Sequence, residues 1–389
     1  MKALCWHGTN DIRCDTVDDP KIEDSRDVII KVTSCAICGS DLHLMDGLMP
    51  TMESGDVLGH EFMGEVVETG SADHKFKKGD RIVVPFNINC GECRMCKLGL
   101  YSCCQRSNRN APIAAAQFGF TIAGLFGYSH MLGGYAGGQA EYVRVPMADF
   151  APIKVPEGMS DDDVLFLTDI FPTGYQGAEQ CDIKGGESIA VWGCGPVGYF
   201  AIQSARILGA ERIIAIETVP ERIALARKAG ATHIIDFEKE DVFERIVEIT
   251  HGEGADAVID CVGMEASAGH GQGGLMATIK EKVAPAERGF VLDQAIKAVR
   301  PGGVVSIPGV YGGPLMINMG QIVQKSLTLR SGQTHVKRYL EPLTELIRAG
   351  KVDMTSLISH RSHDLTEGPD LYKTFKEKSD GCTKVVFNL

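Results

Sequence analysis

The sequence SIAVWGCGPVG, at residues 188–198, decides the fold of the second half of the chain. Its first five residues form a short apolar run typical of a buried strand, and its last six have the spacing G-x-G-x-x-G. Such glycines allow a tight turn and let a pyrophosphate approach the backbone at the positive end of the next helix. The pattern alone is weak. Its position between a strand and a helical segment ending at Leu208 indicates a dinucleotide site at Gly193, Gly195 and Gly198.

Strands and helices alternate after this turn. The predicted strands are 212–217, 232–236, 257–260 and 304–307, and the predicted helices are 220–229, 242–250 and 290–299. This alternation is that of βαβ units around a parallel sheet, so we expect an α/β domain with a doubly wound parallel sheet. Residues 264–288, rich in glycine and alanine, interrupt the rhythm and are interpreted as an insertion.

Glu217 ends the strand that follows the turn, about 20 residues beyond the glycines, as in dinucleotide-binding folds. A carboxylate there accepts hydrogen bonds from the adenosine ribose and repels a 2′-phosphate, which favours NAD over NADP. Arg222, on the next helix, has two open interpretations: a ribose contact or a solvated charge on the helix surface.

Two short segments near the N-terminus contain metal-binding residue types. The motif CGSDLH places Cys38, Ser40 and His43 within six residues, and the motif GHE adds His60 and Glu61. Thiolate and imidazole are zinc ligands, and ligands from separate segments are typical of an open, catalytic site. The hydroxyl and the second imidazole could pass protons. The alternative is a buried cysteine with two ordinary surface histidines.

A second group of cysteines has the spacing of a structural zinc site. Cys90, Cys93 and Cys96 are followed by Cys103 and Cys104. Four thiolates would close a tetrahedral zinc site and leave no position for substrate. The spacing does not decide whether Cys103 or Cys104 is the fourth ligand.

Asp169 lies in the apolar segment LTDIFPTG. An acidic side chain in such surroundings is costly unless it is paired or bound to a metal. Metal binding and helix capping are equally open interpretations of this residue.

Composition limits the possible partners. The chain has 389 residues and a net charge of -12, which argues against binding to nucleic acid or to an anionic membrane. Its N-terminus does not resemble a secretion signal, and thirteen cysteines without one suggest reduced thiols and a cytoplasmic protein. Residues 111–140 contain no charged side chain, but many glycines interrupt them. We interpret this stretch as a glycine-rich loop rather than a membrane span.

The length favours two domains. Residues 1–160 look strand-rich, without strong helical periodicity. Residues 161–312 form the predicted nucleotide-binding domain, and residues 313–389 are expected to return to the first one through a final strand at 384–387.

In this order, the CGSDLH and GHE motifs, the cysteine lobe and the later GxGxxG resemble the zinc-containing medium-chain alcohol dehydrogenases over essentially the whole chain. The sequences TDIFPTGY and GGQAEYVRVPMADF resemble the branch of glutathione-independent formaldehyde dehydrogenases. The resemblance implies a GroES-like catalytic domain joined to a Rossmann domain. It also implies hydride transfer between NAD and a small-molecule alcohol or aldehyde, in a dimer or tetramer. Alternatives are a polyol, threonine-like or general alcohol dehydrogenase, and more remotely a zinc- and NAD-binding redox sensor.

The resemblance also implies residue roles. Catalytic zinc would be bound by Cys38, His60 and Asp169, with Glu61 an adjacent carboxylate that ligates in some states. One structural zinc would be bound by Cys90, Cys93, Cys96 and Cys104. The implied proton relay is Ser40 and His43, and the implied cofactor contacts are Thr173 and Val197 at the nicotinamide and Lys384 at the pyrophosphate.

Overall fold

The structure is a computed structural model that describes residues 1–71, 75–265 and 289–389. It contains two compact units. The first comprises Met1–Pro172 and Thr334–Leu389, and the second comprises Thr173–Gln333.

These limits lie beyond the predicted boundaries at 160 and 312. Residues 161–168 belong to the first unit, because the Thr168 carbonyl accepts from the Phe86 N–H at 3.0 Å and the turn packs on neighbouring strands. The strand Thr328–Ser331 extends the sheet of the second unit, which moves the later limit past 312. The predicted insertion at 264–288 falls almost entirely outside the described residues.

The secondary structure elements are numbered in chain order. The strands are β1 (Lys2–Gly8), β2 (Asp11–Thr16), β3 (Val28–Ile37), β4 (Asp56–Val57), β5 (Glu61–Thr69), β6 (Arg81–Val84), β7 (Tyr142–Val145), β8 (Ile153–Lys154), β9 (Ser188–Trp192), β10 (Arg212–Ile216), β11 (His233–Ile235), β12 (Ala255–Asp260), β13 (Val299–Ile307), β14 (Thr328–Ser331), β15 (His360–Ser362) and β16 (Val385–Asn388). The helices are α1 (Gly39–Met45), α2 (Arg94–Lys97), α3 (Ala111–Phe118), α4 (Asp161–Val164), α5 (Ile170–Glu179), α6 (Pro196–Leu208), α7 (Pro220–Ala229), α8 (Val242–Ile249), α9 (Phe290–Ala298), α10 (Met319–Gln324), α11 (Val336–Arg348) and α12 (Gly368–Glu377).

The second unit is built on a six-stranded sheet in the order β11-β10-β9-β12-β13-β14. Each neighbouring pair is parallel. Counted from β9, this is the order 3-2-1-4-5-6 of the doubly wound Rossmann fold. The strands are rich in buried valine and isoleucine, as expected for a sheet covered on both faces. The order reverses between β9 and β12, and nucleotide sites form at such a switch point, outside the carboxyl ends of the strands.

The first unit contains a seven-stranded sheet in which the strands from β15 to β8 follow the order β15-β16-β3-β5-β6-β8, with β7 on β3. A three-stranded sheet, β2-β1-β4, lies in the same unit. Strand β16 pairs with β3 in antiparallel register, so the C-terminal segment returns to the first unit as predicted. The ends of β3 and β5 position the metal-binding motifs.

The first 160 residues contain more helices than the sequence pattern predicted. The stretch 111–140, interpreted as a glycine-rich loop, contains α3 and a 3₁₀ turn at His130–Leu132. Helices α1, α2 and α3 have only seven, four and eight residues, too few for an apolar period of 3.6 to stand out. Among the residues that the structure describes, no helix is long and apolar enough to cross a membrane.

Candidate functional site

Four predicted metal-site residues come together in the first unit. Cys38 directly follows β3, His60 and Glu61 stand at the start of β5, and Asp169 lies between a 3₁₀ turn and α5. One ligand atom from each lies within 4.8 Å of the others. Gly59 makes the approach possible, because its φ is +97° and an added Cβ would lie 2.4 Å from Cγ of Gln139.

The donors in this group fit zinc. His60 Nε2 lies 3.2 Å from Asp169 Oδ2, and Cys38 Sγ lies 3.8 Å from the same oxygen. His60 Nδ1 faces Asp41 Oδ1 at 3.1 Å, so an N–H at Nδ1 leaves the Nε2 lone pair directed toward the group. Thiolate, imidazole and carboxylate form a donor set that suits zinc and repels itself without a cation.

The pKa values of Cys38 and His60 are also shifted by burial and by their charged neighbours. Burial raises the pKa of Cys38 to about 12. Burial also lowers the pKa of His60, but the charges of Asp41 and Cys38 outweigh it and raise that pKa well above its usual value. Without a metal ion, burial and the neighbouring charges therefore favour a protonated thiol at Cys38 and a protonated imidazole at His60.

Glu61 points to a buried lysine. Its Oε1 and Oε2 lie 2.9 Å and 2.7 Å from Lys384 Nζ, and both side chains are fully buried. The same ammonium donates to the Ile37 carbonyl at 2.8 Å. Lys384 was predicted to reach the cofactor pyrophosphate, whereas the structure places its charge inside the first unit against Glu61. Burial lowers the pKa of Lys384, but Glu61 and Cys38 outweigh burial and raise it.

Helix α1 carries the two predicted proton-relay residues. Ser40 Oγ lies 4.0 Å from Cys38 Sγ and is partly exposed, and His43 is buried one turn later. The relay itself stays a prediction. Sequence reasoning missed Asp41, which accepts from the Cys38 N–H at 2.9 Å and faces His60. The available signal was an acidic residue three positions after a metal-binding cysteine, at the start of a helix.

The second cysteine group is compact and buried. Cys90, Cys93, Cys96 and Cys104 have sulfur atoms within 4.8 Å of one another, and Cys103 lies outside the group. Sulfur–sulfur distances of 4.0 Å exclude disulfides and approach the edge of about 3.8 Å in a zinc tetrahedron with bonds of about 2.3 Å. Backbone N–H groups donate to these sulfurs, as from Cys93 to Cys90 at 3.3 Å, and stabilise thiolates.

We expect Cys104→Ser to abolish zinc binding by this lobe, and Cys103→Ser to preserve it. Cys104→Ser removes one of four thiolates, whereas Cys103→Ser changes a neighbouring side chain outside the group. Zinc per purified chain, measured by elemental analysis, should fall by about one in the first variant only. Equal zinc content in the two variants would contradict the assignment.

The glycine-rich turn lies in the second unit after β9. Gly193 has a φ of +79°, and an added Cβ at Gly198 would lie 1.9 Å from the Gly193 carbonyl oxygen. The turn therefore needs glycine at both positions. Gly195 caps α6, whose N-terminus offers N–H groups for an anion. Val197 is partly buried in the first turn of α6, and Thr173 is partly buried at the start of the unit, within α5.

Glu217 is buried and holds this turn in place. Its carboxylate accepts from the N–H groups of Cys194 at 3.0 Å, Thr218 at 2.9 Å and Val219 at 3.1 Å. Arg222 approaches it to 4.0 Å, and its guanidinium carbon would lie 3.6 Å from a Cβ at Gly195. Arg222 is thus mostly buried beside the turn rather than solvated on the helix surface.

Comparison with known proteins gives a family match in each of the two units. Residues 24–157 match the alcohol dehydrogenase GroES-like domain, and residues 196–269 match the zinc-binding dehydrogenase family. The chain is 42% identical to the uncharacterized zinc-type alcohol dehydrogenase-like protein AdhB of Bacillus subtilis, covering 99% of each chain. It is 37% identical to a glutathione-independent formaldehyde dehydrogenase of the same organism, covering 90% of this chain and 84% of that one.

A solved structure extends the similarity to the whole chain. The alcohol dehydrogenase TADH from Thermus sp. ATN1 superposes with a TM-score of 0.83 at 33% identity, covering 100% of this chain and 99% of the other. The fold, the Rossmann strand order and the sequence matches agree with each other. The chain therefore belongs to the zinc-containing medium-chain alcohol dehydrogenases.

Proposed function

We propose that this chain oxidises a small aldehyde or small primary alcohol, with formaldehyde as the first candidate, by transferring a hydride to NAD. Catalytic zinc would be held by Cys38, His60 and Asp169. The formaldehyde assignment is supported by the 37% identity to a glutathione-independent formaldehyde dehydrogenase and by the resemblance of the segment TDIFPTGY, around Asp169, to that branch of the family. Cytoplasmic location and assembly as a dimer or tetramer stay part of the proposal.

The charge balance of the site is the observation that carries the proposal. A thiolate at Cys38 and a carboxylate at Asp169 would cancel the double charge of a bound zinc ion. The remaining carboxylate of this four-residue group, Glu61, is neutralised by Lys384, because both its oxygens lie within 2.9 Å of the ammonium. Asp41, a further buried carboxylate, faces His60 at 3.1 Å. The site would therefore carry no net positive charge to oppose the departure of a hydride from the carbinol carbon toward a cationic nicotinamide.

In the oxidation of an alcohol, the carbon loses a hydride and the hydroxyl loses a proton. Bound zinc would acidify the substrate oxygen, and NAD would accept the hydride. Ser40 is proposed to accept the hydroxyl proton and to pass a proton through the cofactor ribose and His43 to solvent. An aldehyde reacts as its hydrate by the same loss of a hydride and a proton, and yields a carboxylic acid.

The second unit is proposed to bind the cofactor NAD. The N–H groups at the start of α6 would hold the pyrophosphate, and Glu217 would accept from the ribose with its remaining lone pairs. Thr173 and Val197 are proposed to contact the nicotinamide. The four-cysteine lobe would hold a second zinc with a structural role, because four thiolates leave no open position.

Steady-state assays with purified enzyme test the substrate. NADH formation is measured with formaldehyde, methanol, ethanol, benzyl alcohol, sorbitol and threonine, without glutathione, beside zinc content per chain. Oxidation of formaldehyde with about two zinc per chain would support the proposal. A strong preference for sorbitol, threonine or benzyl alcohol would move the substrate to the alternative class. Two zinc without turnover on any substrate would favour a redox sensor.

Glu217→Gln is expected to reduce the preference for NAD over NADP by about tenfold or more, because the charge that repels a 2′-phosphate is removed. The measurement is the ratio of kcat/KM for the two cofactors at fixed substrate. Asp236→Asn is the matched control, since it removes a carboxylate at the end of the neighbouring strand β11. An unchanged ratio in Glu217→Gln would contradict the assigned role.

A further inference from the structure

A line of buried polar side chains continues from His60 away from the metal-site group. It runs through Asp41 and Gln139 to Tyr372, and each of the three is fully buried. Gln139 Nε2 lies 3.1 Å from Asp41 Oδ2, and the Tyr372 hydroxyl lies 2.7 Å from Gln139 Oε1. Buried polar groups are kept when they are hydrogen-bonded, and this line has a defined direction.

The orientation of the Gln139 side-chain amide sets the donor-to-acceptor direction of these hydrogen bonds. Its Nε2 also lies 3.1 Å from the Ala36 carbonyl oxygen, so both neighbours of this atom are acceptors. Only the NH₂ end of the amide can satisfy two acceptors, which puts the carbonyl end toward Tyr372. The tyrosine hydroxyl must then donate.

Asp41 connects Gln139 to the proposed metal ligands Cys38 and His60. Its Oδ2 accepts from Gln139 and from the Cys38 N–H at 2.9 Å, while its Oδ1 faces His60 Nδ1 at 3.1 Å. A carboxylate that is already held by two donors presents its other oxygen as an acceptor. With a metal bound at Nε2, the single proton of the His60 ring would be on Nδ1, which faces this oxygen.

Gln139 is also fixed by its backbone to the segment before His60. Its N–H donates to the Leu58 carbonyl at 3.0 Å, and its carbonyl accepts from the Leu4 N–H at 2.8 Å. An added Cβ at Gly59 would meet the Gln139 side chain at 2.4 Å. The amide therefore has little freedom to move away from Asp41.

We propose that Gln139 and Tyr372 are positioning residues that set the tautomer of His60 and the orientation of Asp41 for zinc binding. This inference rests on the proposed zinc site at Cys38, His60 and Asp169. Tyr372 belongs to α12, so a helix far along the chain would take part in tuning the ligands through Gln139 and Asp41. Outer partners of this kind typically change metal affinity by about 10–100-fold when they are altered.

The test uses Tyr372→Phe, which removes only the hydroxyl, and Gln139→Met, which removes the amide at similar length. Zinc is titrated away from the holoenzyme with a competing chelator, and cobalt-substituted enzyme gives a visible spectrum of the Cys38–His60 site. We expect the zinc affinity of this site to fall by about 10–100-fold, with a changed cobalt spectrum. Tyr199→Phe, a fully buried tyrosine of the second unit, is the matched control.

The four-cysteine lobe serves as an internal reference in the same chain. Selective loss of one zinc, with the lobe still loaded, supports positioning. Parallel loss of both zinc ions would indicate general destabilisation and overturn the inference, as would affinity and spectra like those of the unaltered enzyme. If the unaltered enzyme binds zinc only in the lobe, the proposed catalytic site fails first, and the inference falls with it.

Discussion

Alanine at position 38 is expected to leave the enzyme with one zinc per chain and with turnover lowered by about 10³-fold or more. In the proposed site, Cys38 would supply one of the two negative charges that balance catalytic zinc. Without this thiolate, the site keeps the imidazole of His60 and the carboxylate of Asp169. Glu61, the other carboxylate, is already paired with Lys384. Lewis-acid activation is worth several kcal/mol of transition-state stabilisation, and each 1.36 kcal/mol is about a factor of ten in rate.

The control for this experiment is Cys35→Ala. Cys35 is a fully buried cysteine on β3, the strand that Cys38 directly follows, and does not belong to the metal-site group. It should keep two zinc and most of the activity. Zinc analysis and initial rates are measured on the same preparations. A Cys38→Ala enzyme with two zinc, or with more than about a tenth of the activity, would refute the proposed ligand set.

Replacing Lys384 with methionine is expected to lower the free energy of unfolding of the first unit by about 3–5 kcal/mol. The change leaves the Glu61 carboxylate buried without its counter-charge. A double variant, Lys384→Met with Glu61→Gln, should recover much of the loss, because neither charge then remains. Lys376→Met is the control: its partner Asp46 is about a third exposed, so we expect a loss of at most about 1 kcal/mol.

The tryptophans allow the measurement to be made on one unit. Trp6 lies in the first unit and Trp192 in the second. In a Trp192→Phe background, urea unfolding followed by fluorescence reports on the first unit through Trp6. A loss below about 1 kcal/mol in Lys384→Met would show that the buried pair contributes no more than a surface pair.

The Rossmann unit was predictable because its signals are local. Strand β9 and helix α7 have the predicted limits, and the glycines of the turn are adjacent in sequence to the elements that they join. The cysteine lobe was predictable for the same reason, although spacing left Cys103 and Cys104 open. Burial and geometry, which place Cys104 rather than Cys103 in the group, are three-dimensional properties.

The parts that sequence could not provide depend on distant contacts. The lysine at the start of KVVF reads as the edge of a strand, and nothing nearby indicates that its partner is Glu61. In the sequence, Asp169 is as consistent with a helix cap as with a ligand, and only the structure places His60 Nε2 3.2 Å from Asp169 Oδ2. Helices of four to eight residues also lack enough turns to show a period.

The Lys384–Glu61 pair also has a consequence for the order of events in folding. The two residues are 323 positions apart, and β16 must pair with β3 before the ammonium reaches the carboxylate. A growing chain that has already made Cys38, His60 and Asp169 still lacks this counter-charge. Contacts of such long sequence separation form late and slow folding. Zinc loading at the proposed catalytic centre is therefore expected to be among the last steps of maturation, whereas the cysteine lobe can load early.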